Sequence, residues 1–227
     1  MAFLDVLFED NHVLVVNKPA GLLVHGDETG DETLAERARA YIKEKYNKPG
    51  NVFVGVVHRL DRPVSGVVLL AKTSKALARL NELFKSRKTQ KIYWAVTENK
   101  PAREQGNLVH WLVKDSAKNV SKAYAKEGNG LKAELNYRLL SQQQGKYLLE
   151  VNPITGRPHQ IRVQLASMRC TIAGDLKYGA PKPLPDKSIA LHARQLQFEH
   201  PTLKTPVTVA APLPANAVWA PFKDLAY

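Results

Sequence analysis

The stretch Val57-His58-Arg59-Leu60-Asp61-Arg62-Pro63-Val64-Ser65-Gly66 runs straight into Val67-Val68-Leu69-Leu70-Ala71. The second half is a short apolar run after turn-forming residues, the pattern of a strand buried on both faces. The first half sets one carboxylate, Asp61, among His58, Arg59 and Arg62. Charges at the mouth of a buried strand are costly unless they are paired or aimed into a cleft. Two readings follow: a loop salt bridge from Asp61 to Arg59 or Arg62, or a carboxylate held for chemistry.

Composition narrows the partner. The chain has 227 residues, 44% hydrophobic and 24% charged, which excludes a disordered or membrane-spanning class. No apolar run reaches the length of a membrane helix. Met1-Ala2-Phe3-Leu4-Asp5 lacks the basic start and apolar core of a signal peptide. The single cysteine, Cys170, rules out an internal disulfide and a cysteine-based zinc site, so a reducing, cytoplasmic setting is expected. Lys plus Arg number 33 against 21 Asp plus Glu, a formal charge of +12. That excess suits a polyanion, because each neutralised phosphate releases counterions. No stretch joins an amphipathic helix to a dense basic face with bulky apolar anchors, so a nucleic acid fits better than a membrane.

Taken in order, residues 12–17 read as a buried strand broken by Lys18-Pro19-Ala20-Gly21, followed by an extended path over Leu22–Gly26 and a polar, flexible loop over Gly26–Gly30. Thr33 and Glu36 have capping-box spacing and open a helix with Leu34, Ala38, Tyr41 and Ile42 on one face, ended by Lys48-Pro49-Gly50. Ser74 opens a second helix with Leu77, Leu80 and Phe84 inward. Its basic end, Lys85 to Lys91, is either a solvated terminus or a contact for RNA backbone. Ile92–Val96 alternates as a strand, turning Tyr93 away from Trp94, toward a second core face or a cleft. From Leu108 to Val151 come antiparallel strands with turns at Glu127–Gly130 and Gln144–Lys146. Arg157 opens a helix with Pro158 at its first position, and His159 and Arg162 share a face one turn apart. Strands over 189–198 and 206–211 finish the chain. Scattered strands with few helices predict an α+β fold, a mixed, largely antiparallel sheet with flanking helices, in a single domain over 1–227.

The chemistry is constrained by elimination. The seven histidines lack the close pairings of usual metal motifs, so no metal is expected. There is no Walker-type phosphate loop and no nucleophile elbow at Ser65.

His58-Arg59-Leu60-Asp61-Arg62-Pro63-Val64-Ser65-Gly66 resembles the central motif of the RluA-type RNA pseudouridine synthases. Asn17-Lys18-Pro19-Ala20-Gly21 with Val24-His25, Lys91-Ile92-Tyr93, and Thr155-Gly156-Arg157-Pro158-His159-Gln160-Ile161-Arg162 match the same family in the same order. Gly174-Asp175 with Tyr178-Gly179, and Leu191-His192-Ala193 with His200-Pro201, continue the likeness, which spans residues 10 to 212.

The resemblance implies a catalytic fold with a central RNA cleft and conversion of uridine to pseudouridine in structured RNA, tRNA or 23S-type rRNA, without a cofactor. It implies that Asp61 is the catalytic carboxylate, Tyr93 the active-site tyrosine, and Arg162 the arginine that pairs with the aspartate. Arg59 would enter the RNA where the target nucleotide flips out, with His58, Arg62, Lys18, Arg157, His159 and Gln160 also on the RNA side. The carboxylate has two routes, addition to C1′ or assistance to loss of the 2′ proton. The rival class is a non-catalytic RNA-binding or RNA-folding protein on the same fold.

Two departures stand out. Val64 occupies the position where the family usually has threonine. The chain also begins almost at the catalytic domain, without the small basic RNA-binding domain of many relatives. Recognition through the catalytic domain itself is therefore expected, acting as a monomer on tRNA or a short rRNA stem-loop.

Overall fold

The computed structural model describes residues 4–26 and 30–225. Met1–Phe3 and most of the polar loop expected over Gly26–Gly30 lie outside the described residues. In chain order the strands and helices begin with β1 (Val6–Glu9), β2 (Val13–Lys18), α1 (Leu34–Lys45), β3 (Gly55–Val56), β4 (Ser65–Ala71) and α2 (Ser74–Lys85). Next come β5 (Gln90–Thr97), β6 (Gln105–Asp115), β7 (Val120–Tyr124), β8 (Leu131–Gln143), β9 (Lys146–Pro153), α3 (Gln160–Ser167), β10 (Leu191–Glu199) and β11 (Pro206–Ala210). They form two compact units. One is the chain up to Lys91 with Ala193–Pro212, the other Ile92–His192 with the chain from Leu213 onward.

In the first unit β4 is the buried strand its apolar run announces, every residue buried. It pairs antiparallel with β2, Lys18 opposite Gly66 through Val13 opposite Ala71, and with the short β3 at Ala71 and Leu70. Both faces of β2 and β4 are covered, which is why their sequences show unbroken apolar runs instead of alternation. Val13, Val15, Val67 and Leu69 meet Ala76 and Leu80 of α2 and Leu196, Phe198 and Val209 of the β10–β11 hairpin. Each large aliphatic side chain buried this way contributes ~1.5–3 kcal/mol. Thr33 caps α1 as its spacing foretells, accepting from the Glu36 amide while Glu36 accepts from the Thr33 amide. Gly66 has no substitute. Its φ is +115°, and a Cβ there would stand 2.3 Å from the Ala193 carbonyl oxygen.

The second unit is an antiparallel sheet whose neighbouring strands are not all consecutive in the chain. Its order is β5-β9-β8-β6-β7, with each adjacent pair antiparallel. Gln144 and Gly145 sit at φ 49° and 71°, the left-handed pair of a tight hairpin between β8 and β9. On one face Leu112 and Ala133 pack against Val163 of α3 and the half-buried Ala123 and Tyr178. α3 starts two residues later than Pro158 suggests. His159 is left-handed at φ 54°, and Pro158 lies in the turn before the helix. Among the described residues, three α-helices beside antiparallel strands make the fold α+β.

Candidate active site

In the first unit, the segment after β2 and the segment before β4 are sewn together. The Lys18 Nζ is fully buried and donates to the backbone oxygens of Leu22 (2.7 Å), Pro19 (2.9 Å) and Arg62 (3.3 Å). The Gly21 amide donates to the Arg62 oxygen at 2.7 Å, and Arg62 Nε returns a bond to the Gly21 oxygen at 3.0 Å. Val64 closes the turn with its amide on the Asp61 oxygen. Its side chain is buried, so valine in place of threonine leaves no hydroxyl needing a partner. Asp61 sits half-buried within this clamp. Burial draws the Lys18 ammonium down to about 7; the negative charge of Asp61 opposes that and the positive charge of Arg62 adds to it. Lys18 is thus an anchor of the loop, and its burial keeps it from direct contact with a ligand.

The charged neighbours of Asp61 divide by exposure. Arg62 points to solvent and pairs with Asp31 at 2.7 Å, both about half exposed. Arg59 is exposed, and its Nη1 lies 3.4 Å from His25 Nε2. His25 Nδ1 is 3.0 Å from the Gly26 oxygen, which fits a proton on Nδ1 and an acceptor facing Arg59. His58 turns inward. Its Nε2 accepts the Leu69 amide at 3.0 Å, and its ring stacks on Phe84 with centroids 4.9 Å apart.

In the second unit Tyr93 is half-buried on β5, opposite Val151 of β9, and the side chain of Trp94 next to it is buried. Arg162, in the first turn of α3, is buried and donates through Nε and Nη2 to the two oxygens of Asp175, each at 2.7 Å. Those bonds use two of the five N–H groups of a guanidinium. The Tyr178 ring covers the guanidinium, its centroid 5.1 Å from Cζ. The Tyr178 hydroxyl accepts the Ser121 amide at 2.8 Å and lies 2.8 Å from His159 Nδ1. Gln160 is buried with both ends used: Oε1 accepts from Thr155 and from the Arg157 amide, and Nε2 donates to the Glu134 oxygen. Arg157 Nε donates to the Lys132 oxygen.

Comparison with known proteins places the chain in a family. Residues 12–167 match the family model described as RNA pseudouridylate synthase. The ribosomal large subunit pseudouridine synthase D of Xylella fastidiosa is 36% identical, over 94% of this chain and 67% of that one. The corresponding synthase C of Rickettsia bellii is 34% identical, over 92% and 68%. The solved structure of human RNA pseudouridylate synthase domain containing 4 superposes with a TM-score of 0.78 at 28% identity, over 93% of this chain and 89% of that one. The chain belongs to the RNA pseudouridylate synthase family. It is an isomerase that converts uridine to pseudouridine in RNA.

For a pseudouridine synthase the sequence brings Asp61 and Arg162 forward as candidates but not the scaffolding around the arginine. Asp175 and Tyr178 lie in motif segments of known likeness, yet nothing in their spacing ties them to Arg162. Their link is made through the fold, thirteen and sixteen residues downstream. Gln160 and His58 carry the opposite lesson. Polar residues in a motif read as RNA contacts; here the Gln160 amide bonds Thr155 and backbone groups, and His58 Nε2 accepts a backbone amide. Among the described residues no cluster of His, Cys, Asp or Glu could hold a metal, and no helix is long and apolar enough to cross a membrane.

Proposed function

We propose that Asp61 is the catalytic carboxylate, with Tyr93 and Arg162 as catalytic partners, and that the substrate is a structured segment of large-subunit ribosomal RNA. The observation that carries the first part is the clamp of Lys18, Gly21 and Arg62 around a half-buried Asp61. A turn secured on both sides holds a carboxylate in one place, which positioning catalysis requires. The ribosomal target follows from the relatives named as large subunit synthases D and C. The chain acts in this reading as a monomeric cytoplasmic catalytic domain.

In the reaction the bond from N1 of uracil to C1′ breaks, a bond from C5 to C1′ forms, N1 gains a proton and C5 loses one to solvent. Loss of the base leaves electron deficiency at C1′, which an ionised carboxylate stabilises, either by adding to C1′ or by removing the 2′ proton. Arg162, charged at all working pH values, supplies fixed positive charge to the site. The phenol of Tyr93 stacks on the flipped base or relays the C5 proton. Arg59, exposed beside His25, fills the gap left by the flipped nucleotide and offsets part of the unstacking cost of a few kcal/mol.

The test uses RNA carrying tritium at C5 of uridine. Asp61→Asn should bind this RNA normally and release no tritium; turnover near the wild-type rate would remove Asp61 from the mechanism. Deuterium at C2′ separates the two carboxylate routes, since it slows release only where the 2′ proton is taken. Deleting the gene and mapping pseudouridines should show one or more missing from large-subunit rRNA; loss from tRNA alone would overturn the ribosomal assignment.

A further inference from the structure

Antiparallel ladders bond through alternate residues along each edge. Ala71 of β4 faces β3 at Gly55, so the next donor on that edge is the Leu69 amide, opposite where Val57 would continue the strand. β3 stops at Val56, and the chain peels away toward Arg59 and Asp61. Leu69 is fully buried, so an amide abandoned there would have no water to bond. His58 Nε2 takes it instead, at 3.0 Å.

We propose that His58 is a positioning residue whose neutral imidazole replaces the ladder bond that β3 ceases to make, fixing where the chain carrying Arg59 and Asp61 leaves the sheet. This rests on the reading of Asp61 as the catalytic carboxylate. A backbone carbonyl at this point would require the chain to stay in the strand for two more residues. A side-chain acceptor satisfies the same amide from a backbone that has already turned. The ring is held from a second direction by Phe84, in the last turn of α2, stacked at an interplanar angle of 18°. Lys91 lies over Phe84, its Nζ 5.9 Å from the ring centroid. An imidazole that accepts through Nε2 carries its proton on Nδ1. Burial and the nearby Lys91 charge both disfavour a second proton, bringing the group down to about 3. His58 is therefore uncharged at the pH of the reaction and adds no positive charge for phosphate binding.

The discriminating pair is His58→Phe, which keeps a ring on Phe84 but has no acceptor, and His58→Gln, whose Oε1 can reach the position of Nε2. For His58→Phe, kcat should fall at least about 10-fold with KM nearly unchanged, and His58→Gln should recover most of the loss. Exchange of the Leu69 amide should speed about 10-fold or more in His58→Phe and stay slow in His58→Gln. In the wild type, nitrogen NMR at about pH 5 should show His58 neutral with Nε2 unprotonated. A raised KM with intact kcat would make His58 an RNA contact and overturn the proposal, as would unaltered Leu69 exchange in His58→Phe or a protonated ring. If His58→Phe does not fold, the tautomer and the His58→Gln kinetics still decide. An active Asp61→Asn enzyme would cancel the catalytic consequence alone, because Leu69 exchange reports on His58 independently.

Discussion

Arg162 and Asp175 form a two-point ion pair, Nε to Oδ2 and Nη2 to Oδ1, with both side chains almost completely buried. The fork geometry fixes the plane of the guanidinium as well as its position. Tyr178 sits over that plane and is itself held by Ser121 and His159. Asp175→Asn keeps the shape but replaces one acceptor with a donor facing Arg162. Its kcat in the tritium-release assay should fall ~100-fold through misplacement of the arginine. Asp175→Ala strands a buried charge and should lower unfolding stability by ~3–5 kcal/mol in urea titration. Full activity in Asp175→Asn would show that Arg162 needs no such support.

Much of this was legible in one dimension. The capping box at Thr33 and Glu36, the unbroken apolar runs of β2 and β4, and the hairpin at Gln144-Gly145 are local signals, and the structure honours them. The start of α3 was not, because Pro158 at a first helical position is a local rule that a long-range one overrides. Gln160 is bonded to Thr155 and Glu134, and His159 takes a left-handed conformation ahead of the helix. Sequence likewise shows Lys18 and His58 as polar motif residues but not their burial. Whether such a side chain meets a ligand or a backbone group depends on which strand ends beside it.

Arg59 is an exposed cation two residues before the carboxylate, held only loosely by His25. Arg59→Ala should weaken RNA binding and reduce the slope of log affinity against log salt by about one. Filter binding at several salt concentrations measures both. A variant with unaltered slope and affinity would exclude Arg59 from the RNA interface.

Two motif glycines share left-handed backbone but differ in surroundings. Gly21 has φ +88° with open space where a Cβ would go, and Gly66 has φ +115° against the backbone of Ala193. Gly21→Ala should cost only ~1 kcal/mol, the conformational penalty alone. Gly66→Ala must move β4 or β10 and should cost more than ~4 kcal/mol, leaving little folded protein. Comparable thermal midpoints for the two variants would contradict the close approach at Ala193.

Acid stability should fall in two windows. Folding brings His58 down from its ordinary 6.5 to about 3, mainly through burial and further through Lys91. Between those values the unfolded chain binds a proton that the folded one refuses, so this contribution is whole above about 6.5 and drains away toward 3. Glu9 acts lower. Burial favours its neutral form, but hydrogen bonds from Lys45, Lys72, Tyr46 and Tyr41 outweigh that and hold it at about 2 instead of 4.5. Its share, ~2–3 kcal/mol, is present above about 4.5 and lost as pH falls to about 2. Urea unfolding at successive pH values should therefore show a decline beginning near the ordinary histidine value and steepening in the carboxylate range. His58→Gln should flatten the upper part and leave the lower, while Glu9→Gln should lower stability at neutral pH and soften the lower part. A wild-type profile flat down to the carboxylate range would mean that His58 accepts a proton without leaving Leu69, which an imidazole bonded through Nε2 cannot do.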